Sequence, residues 1–237
     1  MKVFGKVLIT SHERPDPDAI ASMVILQKVF GGRIWIRGNP NELGKKLLKW
    51  GKVSTTRHPY ACDTFILVDT NSVKDIEGFL ALSKRRILID HHEEKPLPIR
   101  FEETYIDPKA TSSVQMVLRL TNPKLDENLA KIALIGMISD SAFFKSGDPE
   151  FFFWISKLLK YVDYNEVIIH LNSPRPFDER MARLKGAKKM EIFKGPFISA
   201  VTKVSAFEGS VANGLLNLGA DVAIVGNSRK GRIEVRC

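Results

Sequence analysis

Three short stretches of the 237-residue chain crowd acids and imidazoles behind apolar runs. "SHERPDPDAI" (residues 11–20) places His12, Asp16 and Asp18 within seven positions just after "KVLIT". Asp69 follows "TFILV", and Asp90, His91 and His92 close "RRILID" and continue it. Imidazole nitrogen and carboxylate oxygen without cysteine suit Mn²⁺, Mg²⁺ or another divalent ion better than a structural zinc. Carboxylates packed this way without a cation repel one another and raise their own pKa values. Two divalent ions a few ångströms apart remove that conflict. Such a pair also clamps a phosphoester and activates a water for in-line attack. A polar surface turn accounts well for one such cluster and poorly for three.

The elements that must position these residues are legible as alternating strand and helix signals. "KVLIT" (6–10), "RIWIR" (33–37), "TFILVD" (64–69) and "RRILID" (85–90) are short apolar runs rich in β-branched residues. "DAIASMVILQKVF" (18–30) and "NELGKKLLKW" (41–50) read as helices between the first three, and "TSSVQMVLRL" (111–120) and "ENLAKIALIGMISD" (127–140) as two more. Apolar strands alternating with helices predict an α/β fold, a parallel sheet covered by helices on both faces. In such a sheet ligands bind at the carboxyl ends of the strands. Three predicted strands ending in acid or histidine therefore share one edge. Asp18 also fits the cap of the helix that follows it.

Past residue 150 the texture changes. "EFFFWISKLLKYV" reads as an apolar helix with a core Phe/Trp cluster, and "FDERMARLKGAKKM" (177–190) as a charged one. The remainder suggests strand, helix, strand, strand, a second and smaller α/β domain. The expected organisation is a domain over 1–150, a helical connector over 151–189 and a small domain over 190–237. The formal charge of +9 is uneven: residues 1–150 hold 22 Lys and Arg against 19 Asp and Glu, residues 151–237 hold 14 against 8. A basic surface favours anionic partners, nucleic acid foremost. In the charged helix Arg180 and Arg183 share one face while Lys185 and Lys189 point nearly the opposite way. No apolar run approaches the roughly 18–20 residues of a membrane span, and "MKVFGKVLIT" lacks a signal-peptide pattern. Two cysteines, Cys62 and Cys237, form no paired motif, which suits a reducing cytoplasm.

"SHERPDPDAIAS", "LVDT", "IDHH" and "GMISDSAFF", in that order, resemble the four motifs of the DHH phosphoesterase superfamily. Its members include RecJ-like exonucleases, nano-RNases, nucleotide phosphatases, cyclic-dinucleotide phosphodiesterases and manganese pyrophosphatases. The resemblance implies that His12 and Asp16 bind one metal and Asp18 the second. Asp69 would bridge both, and His91 and Asp140 would complete the second ion. Two Mn²⁺ ions, or Mg²⁺ in their place, are the implied cofactors. His92 would meet the substrate phosphate as hydrogen-bond or proton donor, catalytic together with Asp69, and Asp90 would orient an imidazole. In "DPKATSS" (107–113) Ser112 is a candidate substrate contact, and Gln115 stands where the family often has a glutamate.

The last stretch is similar to the start of the DHHA1 domain that partners nucleotide-cleaving members. Arg236 falls near a phosphate-contacting arginine of that family, whereas the family's glycine-rich segment ending in histidine is not present. "SRK" at 228–230 matches a pyrophosphatase tripeptide, but in "GNSRKGR" it reads as a turn. The resulting expectation is a metal-dependent phosphodiesterase or exonuclease acting on short oligonucleotides or small nucleotides. The alternatives are a nucleotide phosphatase or cyclic-dinucleotide phosphodiesterase of the same family, or a non-catalytic subunit of nucleic-acid processing.

Overall fold

The computed structural model describes the chain apart from residues 71, 75, 94–95, 173–175 and 228–230, so the "SRK" tripeptide lies outside the described residues. The chain divides into two units, Met1–Asn172 and Ser173–Cys237. The first runs β1 (Val7–Thr10), α1 (Pro17–Phe30), β2 (Arg33–Trp35), α2 (Glu42–Gly51), β3 (Thr55–Thr56), β4 (Thr64–Val68), α3 (Glu77–Leu80), β5 (Arg85–Asp90), β6 (Glu103–Ile106), α4 (Ser113–Thr121), α5 (Glu127–Asp140), α6 (Pro149–Leu158) and α7 (Tyr164–Leu171). Its strands form one parallel sheet in the order β3-β2-β1-β4-β5-β6.

Alternation along the strands sorts the core into two layers. Val7, Ile9, Ile66, Val68, Ile87 and Ile89 point to one face, where α1 and α4 cover them and α5 packs against those helices. Leu8, Phe65, Leu67 and Leu88 point to the other, beneath Ile76 and Leu80 of the α3 region and Phe101. Helices thus lie on both faces, though the first carries most of them. Asp16 caps α1 by accepting the Ala19 N–H at 3.0 Å, and Pro17 sits at the position where its missing N–H costs nothing. The stretch 151–189 is divided between the units. Phe151, Trp154 and Leu158 of α6 and Val167 of α7 join the core of the first unit.

The second unit holds α8 (Phe177–Lys188), β7 (Glu191–Phe193), β8 (Ser199–Val204), α9 (Glu208–Asn217), β9 (Val222–Asn227) and β10 (Ile233–Arg236). Its sheet has the order β10-β9-β8-β7, with β8 and β9 parallel and both outer pairs antiparallel. Ala200, Val204, Val211, Leu215, Ala223 and Val225 make its core. Arg183 lies over Gly214 of α9, so this cation is partly engaged within the unit while Arg180, Lys185 and Lys189 stay exposed. No helix among the described residues is long and apolar enough to cross a membrane.

Gly136 fixes how closely α5 approaches the other helices of the first unit. A Cβ there would lie 2.7 Å from the Ala21 side chain on α1 and 2.9 Å from that of Val114 on α4. Asp140 follows one helical turn later, so this contact sets its position relative to Asp18 on α1. Gly136→Val is expected to destabilise the protein by about 2 kcal/mol through overpacking, measured by urea unfolding. An unchanged midpoint would show that the three helices are free to spread.

Candidate metal centre

The strand order makes β1 and β4 the place where the winding reverses, from β1 outward through β2 to β3 and from β4 through β5 to β6. A crevice opens outside the carboxyl ends at such a switch point. His12 and Asp16 follow β1, Asp69 follows β4, and His91 and His92 follow β5. With Asp140, these residues line a cavity of about 420 Å³, alongside Thr70 and Ser72.

Asp69 is at the centre of the cluster, almost wholly buried and held at φ +60°, a left-handed conformation that a non-glycine residue adopts at a cost. Its Oδ2 lies 3.6 Å from His12 Nε2 and its Oδ1 3.4 Å from His91 Nε2. Ser113 Oγ donates to Oδ1 at 2.9 Å. His91 Nε2 is also 3.3 Å from Asp140 Oδ2. Ligand-type atoms within 4.8 Å of one another form the groups His12–Asp16–Asp69, Asp18–His91–Asp140 and Asp69–His91–His92. Each of the six residues expected from the sequence as ligands lies in one of the first two groups.

Asp18 does not cap its own helix. Its Oδ2 accepts from the Ser113 N–H at 2.7 Å and its Oδ1 from the Val114 N–H at 3.2 Å, the first turn of α4. Those amides are without helical partners, and the positive end of the helix favours a carboxylate. His91 Nδ1 lies 3.3 Å from the Ala110 carbonyl oxygen. A carbonyl only accepts, so Nδ1 carries the hydrogen and the neutral ring offers Nε2 to the cluster. His92 Nδ1 meets Asp90 Oδ1 at 2.7 Å, and Asp90 is wholly buried. The imidazole in contact with Asp90 is therefore that of His92.

The cluster strains its own ionisation. Burial, with the charges of Asp69 and Asp140, pushes Asp18 well above the usual carboxylate range. Burial likewise raises Asp16, with Asp69 adding to it. Burial and the neighbouring Asp69 and Asp16 raise Asp140 to about 6, against the pull of His91. Asp69 goes the other way: burial alone would raise it, but hydrogen bonds from His12, His91 and Ser113 bring it to about 2. Burial pulls His91 down, yet the bond to Asp69 and the charges of Asp18 and Asp140 carry it up to about 9. In the metal-free protein imidazoliums do part of the work of a cation. Donor type, convergence and charge deficit all fit divalent ions at this place.

One expected substrate contact is turned away from the cavity. Ser112 is fully buried and its hydroxyl accepts the Gln115 N–H at 3.2 Å, capping α4, which corrects its assignment as a contact. The hydroxyl that reaches the cluster belongs to Ser113, one residue on, and the sequence reading missed it. Its signal was present in the paired serines at a helix start, but capping position is uncertain by a residue from sequence alone. Arg236 lies on β10 of the second unit with its guanidinium on Glu234 at 2.9 Å. Gln115 donates to Asp148 at 3.1 Å and Glu150 at 3.3 Å, tying the start of α4 to that of α6.

Fold and site define a doubly wound α/β protein with a histidine–carboxylate cluster at its switch point. The DHH family, N-terminal domain, matches residues 6–137, and the chain belongs to that family. An uncharacterized protein of Methanocaldococcus jannaschii is 28% identical over 247 residues, covering 98% of this chain and 74% of the relative. A probable manganese-dependent inorganic pyrophosphatase of Staphylococcus aureus is 29% identical over 163 residues, covering 60% of this chain. That match spans half of the pyrophosphatase's length. Among solved structures, an exopolyphosphatase-related protein from Bacteroides fragilis shares the fold with a TM-score of 0.78 at 20% identity, over 97% of this chain and 78% of that one. A putative family II inorganic pyrophosphatase of Methanococcus jannaschii does so with a TM-score of 0.60 at 18% identity, over 97% and 87%.

A ligating imidazole is neutral, whereas His91 at about 9 is protonated at pH 7. Metal binding at that pH is therefore expected to release about one proton, and affinity to tighten about tenfold per unit as pH rises towards 9. Below about pH 6, Asp140 adds a second proton to the exchange. Calorimetry with Mn²⁺ in two buffers of different ionisation enthalpy counts these protons. Binding without proton release at pH 7 would remove His91 from the ligand set.

Proposed function

We propose that this chain is a metal-dependent phosphoesterase that hydrolyses short oligonucleotides or small nucleotides. The observation that carries the reading is two adjoining ligand groups, His12–Asp16–Asp69 and Asp18–His91–Asp140, with Asp69 3.4 Å from His91, beside an imidazole held by a buried carboxylate. His12 and Asp16 would hold one ion, Asp18, His91 and Asp140 the other, with Asp69 between them. When bound, such a pair neutralises phosphate charge and supplies an activated water.

The chain's own residues do the rest. Asp90 fixes the Nδ1 hydrogen of His92, leaving Nε2 as the atom offered to the cavity. The hydrogen bond to Asp90 raises the His92 pKa, against the effect of burial, so more of the ring carries a proton near neutrality. That proton serves a phosphate oxygen or the departing alkoxide. Ser113 and the α4 amides keep Asp69 and Asp18 from turning away from the cavity. The basic excess of residues 151–237 supports an anionic substrate longer than a single phosphate.

A second reading, hydrolysis of inorganic pyrophosphate, is favoured by the names of the Staphylococcus aureus relative and the Methanococcus jannaschii structure. Turnover with Mn²⁺ across pyrophosphate, mononucleotides, dinucleotides and longer RNA and DNA separates the two. Preference for pyrophosphate would overturn the nucleotide reading. Asp69→Ala is expected to abolish turnover while the protein stays folded. His92→Ala is expected to lower kcat by roughly 10²–10⁴ with Mn²⁺ affinity retained in calorimetry. Lost metal affinity in His92→Ala would exchange the roles of the two adjacent histidines.

A further inference from the structure

The carboxyl edge of the parallel sheet carries a second cavity, of about 470 Å³, at the ends of β2 and β3. Gly38, Asn39, Thr55, Thr56 and Arg57 are among its walls. Arg57 is exposed and has no ion-pair or hydrogen-bond partner among the described residues. The Thr56 hydroxyl is engaged locally, donating to the His58 carbonyl at 2.7 Å. Glu42, in the first turn of the adjoining α2, is already paired with Lys45 at 2.6 Å. The cavity therefore presents a guanidinium with its fork of donors unused, the geometry that suits a phosphate.

Its neighbourhood ties it to the metal centre. Gly38, at φ +73°, lies so close to the loop bearing His12 and Asp16 that a Cβ would fall 2.3 Å from the Glu13 carbonyl oxygen. Arg37, the residue before it, donates to the Ser11 carbonyl at 3.3 Å and to the Lys74 carbonyl at 3.1 Å. β3, β2 and β1 are consecutive in the sheet. At roughly 5 Å per strand, the cavity begins about one to two strand spacings from the mouth of β1.

We propose that this cavity is a second phosphate subsite, in which Arg57 holds a phosphate one unit away from the one at the metal centre. It would make the enzyme prefer short substrates bearing a further phosphate over those with a single phosphodiester. The proposal rests on the phosphoesterase reading and names the substrate class within it.

The test uses dinucleotides carrying a phosphate at the 5′ end, at the 3′ end or at neither, with Mn²⁺. Wild type is expected to show a KM about tenfold lower for one phosphorylated form. Arg57→Glu should erase that preference by raising KM for the phosphorylated form about tenfold, and Lys49→Glu, the same charge change at the far end of α2, should preserve it. Equal KM values in wild type, or an equal loss in both variants, would overturn the subsite. If wild type hydrolyses no dinucleotide, it is the phosphoesterase reading that fails for this class. Fluorescence anisotropy of the labelled dinucleotides on metal-free protein then decides the subsite by itself. Tighter binding of a phosphorylated form, lost in Arg57→Glu, supports it, and equal binding by wild type overturns it.

Discussion

Four carboxylates, Asp16, Asp18, Asp69 and Asp140, share one small polar space, and their mutual repulsion is the constraint on which this structure turns. Charges at such separations interact strongly where water is scarce. The fold answers in two ways without any ion. It brings imidazoles against Asp69 from two sides, and it aims the first amides of α4 at Asp18. Both devices are partial, since Asp16, Asp18 and Asp140 remain pushed towards their neutral forms. A site left this short of positive charge is poised to take up cations and to give up protons as it does so.

Holding like charges together demands a scaffold that does not yield. Each group is attached near the end of a buried element: Asp69 to a central strand, Asp18 to a helix whose residues from Asp18 to Leu26 are all buried, Asp140 to a helix pressed on two others through Gly136. The left-handed backbone at Asp69 is a further sign of load. It turns the chain sharply at the end of β4, and the Asp69 N–H still pairs with the Ile89 carbonyl at 2.9 Å. Packing on both sides of the sheet over-determines that conformation.

This division between core and edge also explains what could be read from the sequence. β1, β4 and β5 are short apolar runs, and each advertises both its strand and the ligand-type residues that follow it. β3, with two residues, and β6, "ETYI", carry no such signal. Glu103 is held in its strand by Arg85 of β5, by Tyr105 two residues on and by the Lys2 N–H at 2.9 Å. The α4 contacts are of the same kind. Ser113 and the Ala110 carbonyl act on residues far away in sequence, and no local pattern marks them. Asp16 and Asp18 both resemble caps, but only the tertiary structure shows that one caps its own helix and the other serves a different one.

The pair Asp90 and His92 shows how the arrangement separates holding from doing. Asp90 and His91 are neighbours in one motif, yet Asp90 points into the sheet's interior and bonds His92, while His91 is fixed by a backbone carbonyl. Two adjacent histidines, with rings 4.4 Å apart, thus receive opposite instructions. The Ala110 carbonyl fixes the Nδ1 hydrogen of His91 and turns Nε2 to Asp69 and Asp140, whose charges with that of Asp18 hold its second proton to about pH 9. A buried carboxylate partner stabilises the imidazolium, so His92 keeps its proton nearer neutrality. How each imidazole is oriented and how firmly it holds its proton are then set by what surrounds each ring, and not by the rings themselves.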